Sequence, residues 1–352
     1  MRILISVGHP AHVHLFRNAI AKLRSDGHDI AVAAVRKEST IALLRHYKID
    51  YEEFGIDREV LLQKALDVPL RDLNLLRFAS DVKPDIIVST GSPYAAQVSK
   101  VLGVPHIAFG DTEIARTVAK LMIPFTDAIC TPSSFYMDLG QKHVKYNGYH
   151  EIAYLHPNYY KPNASILDEI GIKQGESYSI VRLASWTSSH DVGESGFGFK
   201  TFREIMDFLE YLEKWGKVVL TTERVLPSSF ERYVYKIPTH RIHDLLYYAN
   251  LYVGEGATMA SEAGILGTPW IFVSKSGRGY LKDQEEHYAL GFHVDSINTA
   301  RKKSEEILSN KNSKNEWKVK REKLLNEKID VTAFIVDFIE RWPQSYLEAK
   351  RR

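Results

Sequence analysis

The sequence predicts an α/β protein with two domains, each built around a parallel β-sheet covered by helices. Short apolar strand patterns alternate with amphipathic helix patterns from the first residues onward, an order typical of doubly wound parallel sheets. The alternation breaks at residues 149–163, which contain two prolines and few periodic apolar positions, and then restarts. With 352 residues, the chain is also longer than a domain with a single hydrophobic core usually is. Together these observations predict two Rossmann-like domains with a cleft between them.

In the first half, β-branched runs predict strands and spaced apolar residues predict helices. Ile3 to Val7 is expected to be a buried strand, followed by a loop at 8–14 and a helix from Leu15 to Asp26 that Gly27 closes. Further strands are predicted at 29–35, 51–55, 84–90, 105–109, 128–131 and 144–146, with helices at 39–46, 60–82 (interrupted near Pro69) and 94–102. Because parallel strands end at one sheet edge, we expect the loops at 8–14, 91–93 and 110–113 to line a common crevice.

The second half repeats this pattern. Strands are predicted at 179–183, 218–222, 251–253, 270–273 and 292–294, and helices at 202–214, 243–248 and 258–266. A Lys- and Glu-rich helical stretch follows, and Val331 to Trp342 form an amphipathic terminal helix. We therefore expect an N-terminal domain at 1–160, a second domain at 161–330, and a C-terminal helix at 331–352 that packs back across the first domain.

Composition excludes several classes of protein. The net charge of +2 gives no global basic field for nucleic acid. Cys130 is the single cysteine, which excludes an internal disulfide and a cysteine-based zinc site. The chain shows neither a signal-peptide pattern nor a long uninterrupted apolar run, so we expect a cytoplasmic protein. Its 19 tyrosines and 15 phenylalanines leave material for a peripheral membrane contact.

The most informative stretch begins at Gly254 and runs through Glu262. An apolar strand ends at two glycines, Gly254 and Gly256, and a helix of small residues follows. Glycines allow close backbone approach, and the free N–H groups of a helix start, here Ala257 and Thr258, favour an anion. Glu262 lies four residues after Thr258 on the same helix face and could accept hydrogen bonds from sugar hydroxyls. The pattern suggests a nucleotide-sugar pocket, although many such turns in α/β proteins bind nothing.

Several polar residues in the crevice loops of the first half are candidates for chemistry. His9, His12 and His14 follow the first strand, and a single general base is favoured over a metal site, because no carboxylate or cysteine is near in sequence. Helix capping is the structural alternative. Asp111 and Glu113 could activate an acceptor hydroxyl or orient His12, or they could simply begin a helix. Ser92 lies in the neighbouring loop.

Two segments of the second half complete the predicted pocket. The polar loop at 184–198 follows the first strand of this half, and it offers diphosphate donors at Ser185 and His190 beside Arg182. Its length and its glycines suggest a lid. His240 precedes a predicted helix, where a contact to a nucleotide base is expected. For both segments, ordinary loop polarity is the alternative.

The chain resembles a prokaryotic family of predicted glycosyltransferase-like proteins with the GT-B fold, over nearly its whole length. Three motifs carry the resemblance: Gly-His-Pro-Ala-His-Val-His at 8–14, Arg-Leu-Ala-Ser-Trp-Thr-Ser-Ser-His-Asp-Val-Gly at 182–193, and His-Asp-Leu-Leu at 243–246 with the 254–264 stretch. It also resembles the peptidoglycan N-acetylglucosaminyltransferase, whose Gly-Ala-x-Thr-x-Ser-Glu element is similar to Gly-Ala-Thr-Met-Ala-Ser-Glu at 256–262 and whose His-Val step matches residues 12–13. The glycines of that enzyme's Gly-Gly-Ser loop are missing at 183–185. The similarity to UDP-N-acetylglucosamine 2-epimerase is weaker, and its opening Gly-Thr-Arg-Pro-Glu is absent.

The resemblance implies a glycosyltransferase that moves a sugar from a nucleotide diphosphate donor, with a UDP-sugar expected, to a hydroxyl of a glycan or lipid-linked acceptor in cell-surface polysaccharide synthesis. Glu262 would bind the ribose, and His12 would be the base. No Asp-x-Asp motif occurs, which agrees with metal-independent transfer without a cofactor. Two alternatives are a UDP-N-acetylglucosamine 2-epimerase-like enzyme using Asp111 and Glu113, and a non-catalytic nucleotide-sugar-binding protein.

Overall fold

A computed structural model of the chain describes residues 1–56, 61–113, 116–184, 199, 201–222 and 224–351. The chain divides into two compact units. The N-terminal unit contains Met1–Tyr154 and Ile329–Arg352, and the C-terminal unit contains Leu155–Lys328. Among the described residues, no helix has both the length and the apolar character needed to span a bilayer.

A seven-stranded parallel sheet forms the centre of the N-terminal unit. Its strands are β1 (Arg2–Val7), β2 (Asp29–Arg36), β3 (Glu52–Ile56), β4 (Ile86–Ser89), β5 (His106–Phe109), β6 (Ala128–Pro132) and β7 (His143–Tyr146). They lie in the order β3-β2-β1-β4-β5-β6-β7, and every pair is parallel. The strand order reverses direction between β1 and β4. In open parallel sheets, ligands bind beyond the carboxyl ends of the strands at such a switch point.

Helices cover both faces of this sheet, as expected where strands such as β1 and β4 are buried along their length. They are α1 (Pro10–Ser25), α2 (Glu38–His46), α3 (Leu61–Val82), α4 (Pro93–Leu102), α5 (Arg116–Met122) and α6 (Ile152–Leu155). The sequence predicts an interruption of α3 near Pro69, but the helix continues through it.

The predicted loop at 8–14 is wrong, because α1 already begins at Pro10. Proline at the first helical position has a suitable φ angle and lacks an N–H group that would in any case have no helical partner. The preceding His9 is the N-cap, and its Nδ1 accepts a hydrogen bond from the Ala11 N–H at 3.3 Å. His12 and His14 are therefore helical residues, which point in different directions.

The predicted linker at 149–163 is also partly wrong, because residues 149–154 are buried in the N-terminal unit. Asn18 of α1 donates to the Ala153 carbonyl oxygen at 2.8 Å, and the Thr332 hydroxyl donates to the same oxygen at 2.7 Å. Tyr149 and Tyr154 are almost completely buried. The segment was predicted to be a linker because its apolar side chains show neither helical nor strand periodicity. In the structure, side chains of α1 and of the C-terminal segment donate hydrogen bonds to its backbone.

A five-stranded parallel sheet forms the centre of the C-terminal unit. Its strands are β8 (Tyr178–Leu183), β9 (Lys217–Thr222), β10 (Leu251–Gly254), β11 (Trp270–Val273) and β12 (Gly291–Val294), in the order β12-β11-β10-β8-β9. The switch point lies between β8 and β10. Its helices are α7 (Ser165–Glu169), α8 (Phe202–Leu212), α9 (Ile242–Tyr248), α10 (Ala257–Leu266), α11 (Gly279–Glu286), α12 (Ile297–Ser309) and α13 (Ser313–Glu327). Two parallel sheets with helices on them confirm the predicted α/β class.

The chain returns to the N-terminal unit for its last two helices, α14 (Val331–Glu340) and α15 (Gln344–Arg351). The Asp330 side chain caps α14 by accepting from the Ala333 N–H at 3.0 Å. The apolar stripe predicted from the sequence, including Ile335 and Ile339, is buried, and α14 packs on α1. Tyr146 of β7 packs against Phe334 with ring centroids 4.8 Å apart.

Candidate functional site

The strand-to-helix turn between β10 and α10 lies at the switch point of the C-terminal sheet. Gly254 ends β10 beside Arg182 of β8, and a Cβ atom at position 254 would lie 2.6 Å from the Arg182 carbonyl oxygen. Glycine is therefore required here for strand packing. Gly256 is the N-cap of α10 and supplies no side-chain cap. Its helix thus begins with backbone N–H groups directed out of the first turn, an arrangement that favours an anion.

A buried ion pair between Arg224 and Glu255 holds this turn, with the two side chains 2% and 3% exposed. Glu255 accepts hydrogen bonds from the backbone N–H groups of Ala184 at 3.0 Å and Phe199 at 3.1 Å. Arg224 donates to the carbonyl oxygens of the same two residues. Burial raises the pKa of Glu255, although Arg224 and the backbone donors act in the opposite direction. The pair ties Ala184 and Phe199 to the glycine turn.

Glu262 lies in the second turn of α10 and is buried. Its Oε1 atom lies 3.0 Å from Nε2 of His243 in α9, which is also buried. A carboxylate acceptor at this distance favours the tautomer with a proton on Nε2. The ring of Tyr160 packs edge-on against His243, with centroids 6.2 Å apart. The Glu262 carboxylate is thereby held in one position on the helix that carries the uncapped turn.

Three further residues that were predicted to bind the nucleotide-sugar, Arg182, Ala257 and Thr258, lie at the same turn. The Arg182 carbonyl oxygen accepts from the Glu255 N–H at 3.0 Å, and the Arg182 side chain lies beside Gly256. Ala257 and Thr258 form the first turn of α10 and are partly exposed.

The structure places His240 at the entrance to α9, in a short 3₁₀ turn, Thr239–Arg241. Its neighbour Arg241 donates to Asp244 at 2.6 Å and to Glu169 at 2.6 Å, which fixes the turn. Ser185 and His190, and with them the predicted lid at 184–198 apart from Ala184, lie outside the described residues.

In the N-terminal unit, β1 leads directly to His12 at the switch point. The Gly8 N–H donates to Nδ1 of His12 at 3.1 Å, so the proton of the neutral ring is on Nε2. Burial lowers the pKa of His12 to about 3, and the nearby His9 acts in the same direction. The rings of His9 and His12 have centroids 5.9 Å apart. At neutral pH, His12 is therefore an uncharged hydrogen-bond donor.

Asp111 and His150 are paired in the segments that follow β5 and β7, and the two side chains carry opposite charges only when His150 is protonated. The Oδ2 atom of Asp111 lies 3.2 Å from Nδ1 of His150, and its Oδ1 atom accepts from the Thr112 hydroxyl at 2.8 Å. Burial raises the pKa of Asp111, but the charge and hydrogen bond of His150 outweigh it and lower this pKa to about 2. His12 lies within electrostatic reach of both residues, because Asp111 raises its pKa and His150 lowers it.

The second ring nitrogen of His150 has a distinctive environment. Nε2 is buried, and within the described ranges it has no hydrogen-bond partner. A buried polar atom of this kind is unusual in a folded protein. An imidazole with one nitrogen oriented by a carboxylate and the other available matches the geometry of an oriented general base.

Three other predicted residues have separate positions. Ser92 is the N-cap of α4, and its hydroxyl oxygen accepts from the Ala95 N–H at 3.2 Å. Glu113, two positions after Asp111 in the sequence, is buried. His14 is buried in α1 and stacks on Tyr154 with ring centroids 5.1 Å apart. The structure therefore does not bring His14 to the group formed by His12, Asp111 and His150.

The described parts of the chain contain no group of three or more His, Cys, Asp or Glu side chains arranged to hold a metal ion. In particular, His14 does not join the neighbouring His9 and His12, because residues two apart on a helix, such as His12 and His14, lie on different faces.

Sequence reasoning missed four residues of these sites: His150, His243, Arg224 and Glu255. His150 lies just after β7, the last strand of the sheet, so the rule that sites lie at carboxyl ends of strands could have found it. His150 was not considered because the sequence analysis assigned residues 149–163 to a linker. His243 was noticed only as part of a motif. Nothing in the sequence pairs Arg224 with Glu255, which are 31 positions apart.

The fold is that of GT-B proteins. A putative UDP-N-acetylglucosamine 2-epimerase from Listeria monocytogenes superimposes with a TM-score of 0.69 at 14% identity, covering 100% of this chain and 97% of that one. The S. aureus MnaA–UDP co-structure gives 0.68 at 12% identity, covering 99% and 97%. The glycosyltransferase VinC in complex with DTDP gives 0.63 at 13% identity and covers 100% of both chains. These likenesses establish the fold shared by glycosyltransferases and UDP-N-acetylglucosamine 2-epimerases.

The chain belongs to the family described as "Protein of unknown function (DUF354)", whose model matches residues 1–337. A relative by sequence is the uncharacterized protein MJ0665 of Methanocaldococcus jannaschii. It is 24% identical over 285 residues, which cover 76% of this chain and 80% of that protein.

Proposed function

We propose that this protein transfers a sugar from a nucleotide diphosphate donor, with UDP as the first candidate, to a hydroxyl group of a glycan or lipid-linked acceptor. The observation that supports the proposal most strongly is the uncapped start of α10, with Glu262 held by His243 one turn further along the helix. The helix start offers N–H groups to a diphosphate, and the carboxylate offers acceptors to ribose hydroxyls. Both kinds of group occur together on one element at a switch point.

The donor would be bound by the C-terminal unit in this scheme. The first-turn N–H groups at Ala257 and Thr258 would bind the diphosphate and stabilise the charge that develops on it as the glycosidic bond to phosphate breaks. Arg182, beside Gly256, would add a cationic donor. These groups stabilise the leaving diphosphate without a metal ion or a cofactor.

The N-terminal unit would bind the acceptor and supply the base. The acceptor oxygen attacks the anomeric carbon, the bond from that carbon to the phosphate oxygen breaks, and the hydroxyl proton passes to the base. The sequence assigns this role to His12, but its Nδ1 accepts from Gly8 and its pKa is lowered to about 3, which makes it a weak base. We therefore favour Nε2 of His150, oriented through Nδ1 by Asp111. His12 would donate from Nε2 to the acceptor.

A thermal-shift screen against UDP, TDP, GDP and CMP tests the donor site. A ligand that binds the folded protein raises its melting temperature, by an amount that grows with concentration over the dissociation constant. We expect one nucleotide diphosphate to raise the melting temperature, and we expect its sugar conjugate to do so as well. If no nucleotide or nucleotide-sugar changes the melting temperature at millimolar concentration, the donor site is wrong.

A 2-epimerase is the second candidate, because Asp111, His150 and His12 bring three proton-transfer groups together. Epimerisation at C2 requires removal of the proton on that carbon, whereas transfer leaves it in place. UDP-N-acetylglucosamine incubated with the protein in D2O, without an acceptor, separates the two reactions by ¹H NMR. Loss of the H2 signal, with or without release of UDP, would favour epimerisation, and an unchanged H2 signal agrees with transfer. If a nucleotide binds but its sugar conjugate is consumed neither alone nor with an acceptor, the protein is a binding protein.

A further inference from the structure

An apolar recess lies in the N-terminal unit, next to the Asp111–His150 pair. It is bounded by Gly91 after β4, by Gly110 to Glu113 after β5, and by the inner side of α5. The empty space in the recess, including the open solvent at its mouth, is about 450 Å³. Its apolar wall is formed by Val118, Met122, Ile129, Phe135, Met137 and Leu139.

The wall of the recess is continuous with the hydrophobic core. Met122 and Ile129 belong to a buried cluster with Ala96 and Ala108, and Leu139 packs against that cluster. α5 has a different character on its other side, where Leu121 is 53% exposed. Met122, Ile129 and Phe135 are buried in the wall, whereas Val118, Met137 and Leu139 are partly exposed. An apolar group entering the recess would remove this remaining apolar surface from water.

The polar groups at one side of the recess are engaged with each other. The Thr112 hydroxyl donates to Asp111 at 2.8 Å, and Asp111 pairs with His150 at 3.2 Å. Asp111 thus belongs both to the recess wall and to the pair that we assign to the base. A molecule with an apolar group in the recess would place its adjoining atoms within reach of that pair.

We infer that this recess binds an apolar group of the acceptor, so that the acceptor is an amphiphile whose reactive hydroxyl adjoins a hydrocarbon or aromatic portion. This inference rests on the proposed function. It assigns the substrate class of the acceptor side, and it distinguishes such an acceptor from a fully polar glycan, which would gain nothing from the recess.

The test compares two probes that differ only in their apolar part, methyl β-D-glucopyranoside and n-hexyl β-D-glucopyranoside, the latter below its micelle concentration. Dissociation constants are measured by NMR titration of the full chain, without a donor. We expect the hexyl glycoside to bind at least about tenfold more tightly, because the methylene groups that enter the recess leave water. Equal affinity of the two glycosides, or binding of neither, would overturn the inference.

Two variants fill the recess from α5, Ala119→Phe and Val118→Phe, and each should reduce the hexyl preference to about twofold or less. Leu121→Phe makes a similar change on the exposed side of the same helix and should retain the preference. The melting temperature without ligand and the far-UV circular dichroism spectrum of each variant, compared with those of the parent protein, verify that it is folded. A hexyl preference that persists in both filled variants would show that the apolar group binds elsewhere.

The outcomes also separate this inference from the proposed function. A recess-dependent hexyl preference without sugar transfer from any donor would retain the recess as an apolar ligand site and reject transfer. Sugar transfer to the methyl and hexyl glycosides with equal efficiency would retain transfer and reject the recess as part of the acceptor site.

Discussion

Glu262 and His243 are joined by a 3.0 Å contact between Oε1 and Nε2, and both side chains are buried. The contact links α10 to α9, so a residue from outside the glycine turn fixes the carboxylate on the helix that begins at that turn. Such an arrangement suits a side chain that must meet a ligand in one orientation, because its conformational freedom is lost on folding rather than on binding.

Glu262→Gln should weaken UDP binding about ten- to hundredfold, because a charged acceptor for ribose hydroxyls is replaced by a neutral one. Glutamine has nearly the same shape and can still form a hydrogen bond with His243, so the melting temperature without ligand should change little. Isothermal titration calorimetry with UDP gives the affinity.

Glu286→Gln is the matched control for this prediction, since Glu286 lies on α11 of the same unit with its side chain 57% exposed. We expect this variant to bind UDP like the parent protein. If Glu262→Gln lowers the melting temperature while UDP affinity stays unchanged, the contact with His243 has a structural role only.

Arg224→Met should destabilise the C-terminal unit by about 3 kcal/mol or more, because it leaves the buried Glu255 carboxylate without its cationic partner. Both side chains are almost fully buried, so solvent cannot replace the lost charge. Chemical denaturation followed by tryptophan fluorescence measures the free energy of unfolding.

Arg232→Met makes the same substitution in the same unit at an exposed position, where Arg232 pairs with Glu210 and Glu213. Surface pairs contribute little, so this variant should be far less destabilised. Equal stability losses in the two variants would mean that the Arg224–Glu255 pair does not hold the turn.

Asp111→Asn should lower sugar transfer about 10²- to 10⁴-fold while donor affinity stays within about twofold, because the change removes the charge that orients His150 but leaves the donor site intact. Initial rates at saturating donor measure the effect. Asp138→Asn, in a loop of the same unit, is the matched control and should retain the parental rate. Transfer at the parental rate in Asp111→Asn would contradict our assignment of the base.

The buried His106 should make the protein less stable in mild acid. Burial lowers its pKa from 6.5 to about 3, and its two ring nitrogens lie 2.8 Å from Thr126 Oγ1 and 2.9 Å from Ser89 Oγ. Between these pH values the unfolded chain binds a proton that the folded chain does not. The stability contributed by neutral His106 is therefore complete above pH 6.5 and is lost as the pH falls toward 3.

His106→Gln should reduce the pH slope of the unfolding free energy between about pH 6 and 4.5 by up to about 1.4 kcal/mol per pH unit, the maximum for one proton. Denaturant titrations at several pH values give the slope. His287→Gln removes an exposed imidazole and controls for the substitution itself. An unchanged slope in His106→Gln would show that His106 does not cause the acid sensitivity.

The sequence was sufficient to predict the fold, because buried parallel strands and amphipathic helices leave distinct periodic patterns. All seven strands around β1 and all five around β8 were predicted within a few residues of their observed bounds. The errors fall where a local rule was overridden. Pro10 begins α1 earlier than its polar neighbours suggested, and tertiary hydrogen bonds to Ala153 hold a segment that lacks periodicity.

The candidate sites were only partly predictable from the sequence. Position at a strand end located His12, Asp111 and the 254–262 stretch, because topology brings such residues to one sheet edge. Partnerships between distant residues were not predictable. His150 is 39 positions from Asp111 and His243 is 19 positions from Glu262, and only the packed structure shows which side chains meet. Tautomer and pKa, which argue against His12 as the base, likewise depend on burial.

The central claim is that a sugar passes from a nucleotide diphosphate to an acceptor hydroxyl. The most direct test is product analysis by mass spectrometry and NMR after incubation with UDP-N-acetylglucosamine and n-hexyl β-D-glucopyranoside. If the thermal-shift screen identifies a donor that binds better, that donor replaces UDP-N-acetylglucosamine. We predict that UDP is released only when the acceptor is present and that a disaccharide glycoside forms in equal amount. UDP release with a mannosamine-type product in the absence of acceptor would contradict the account.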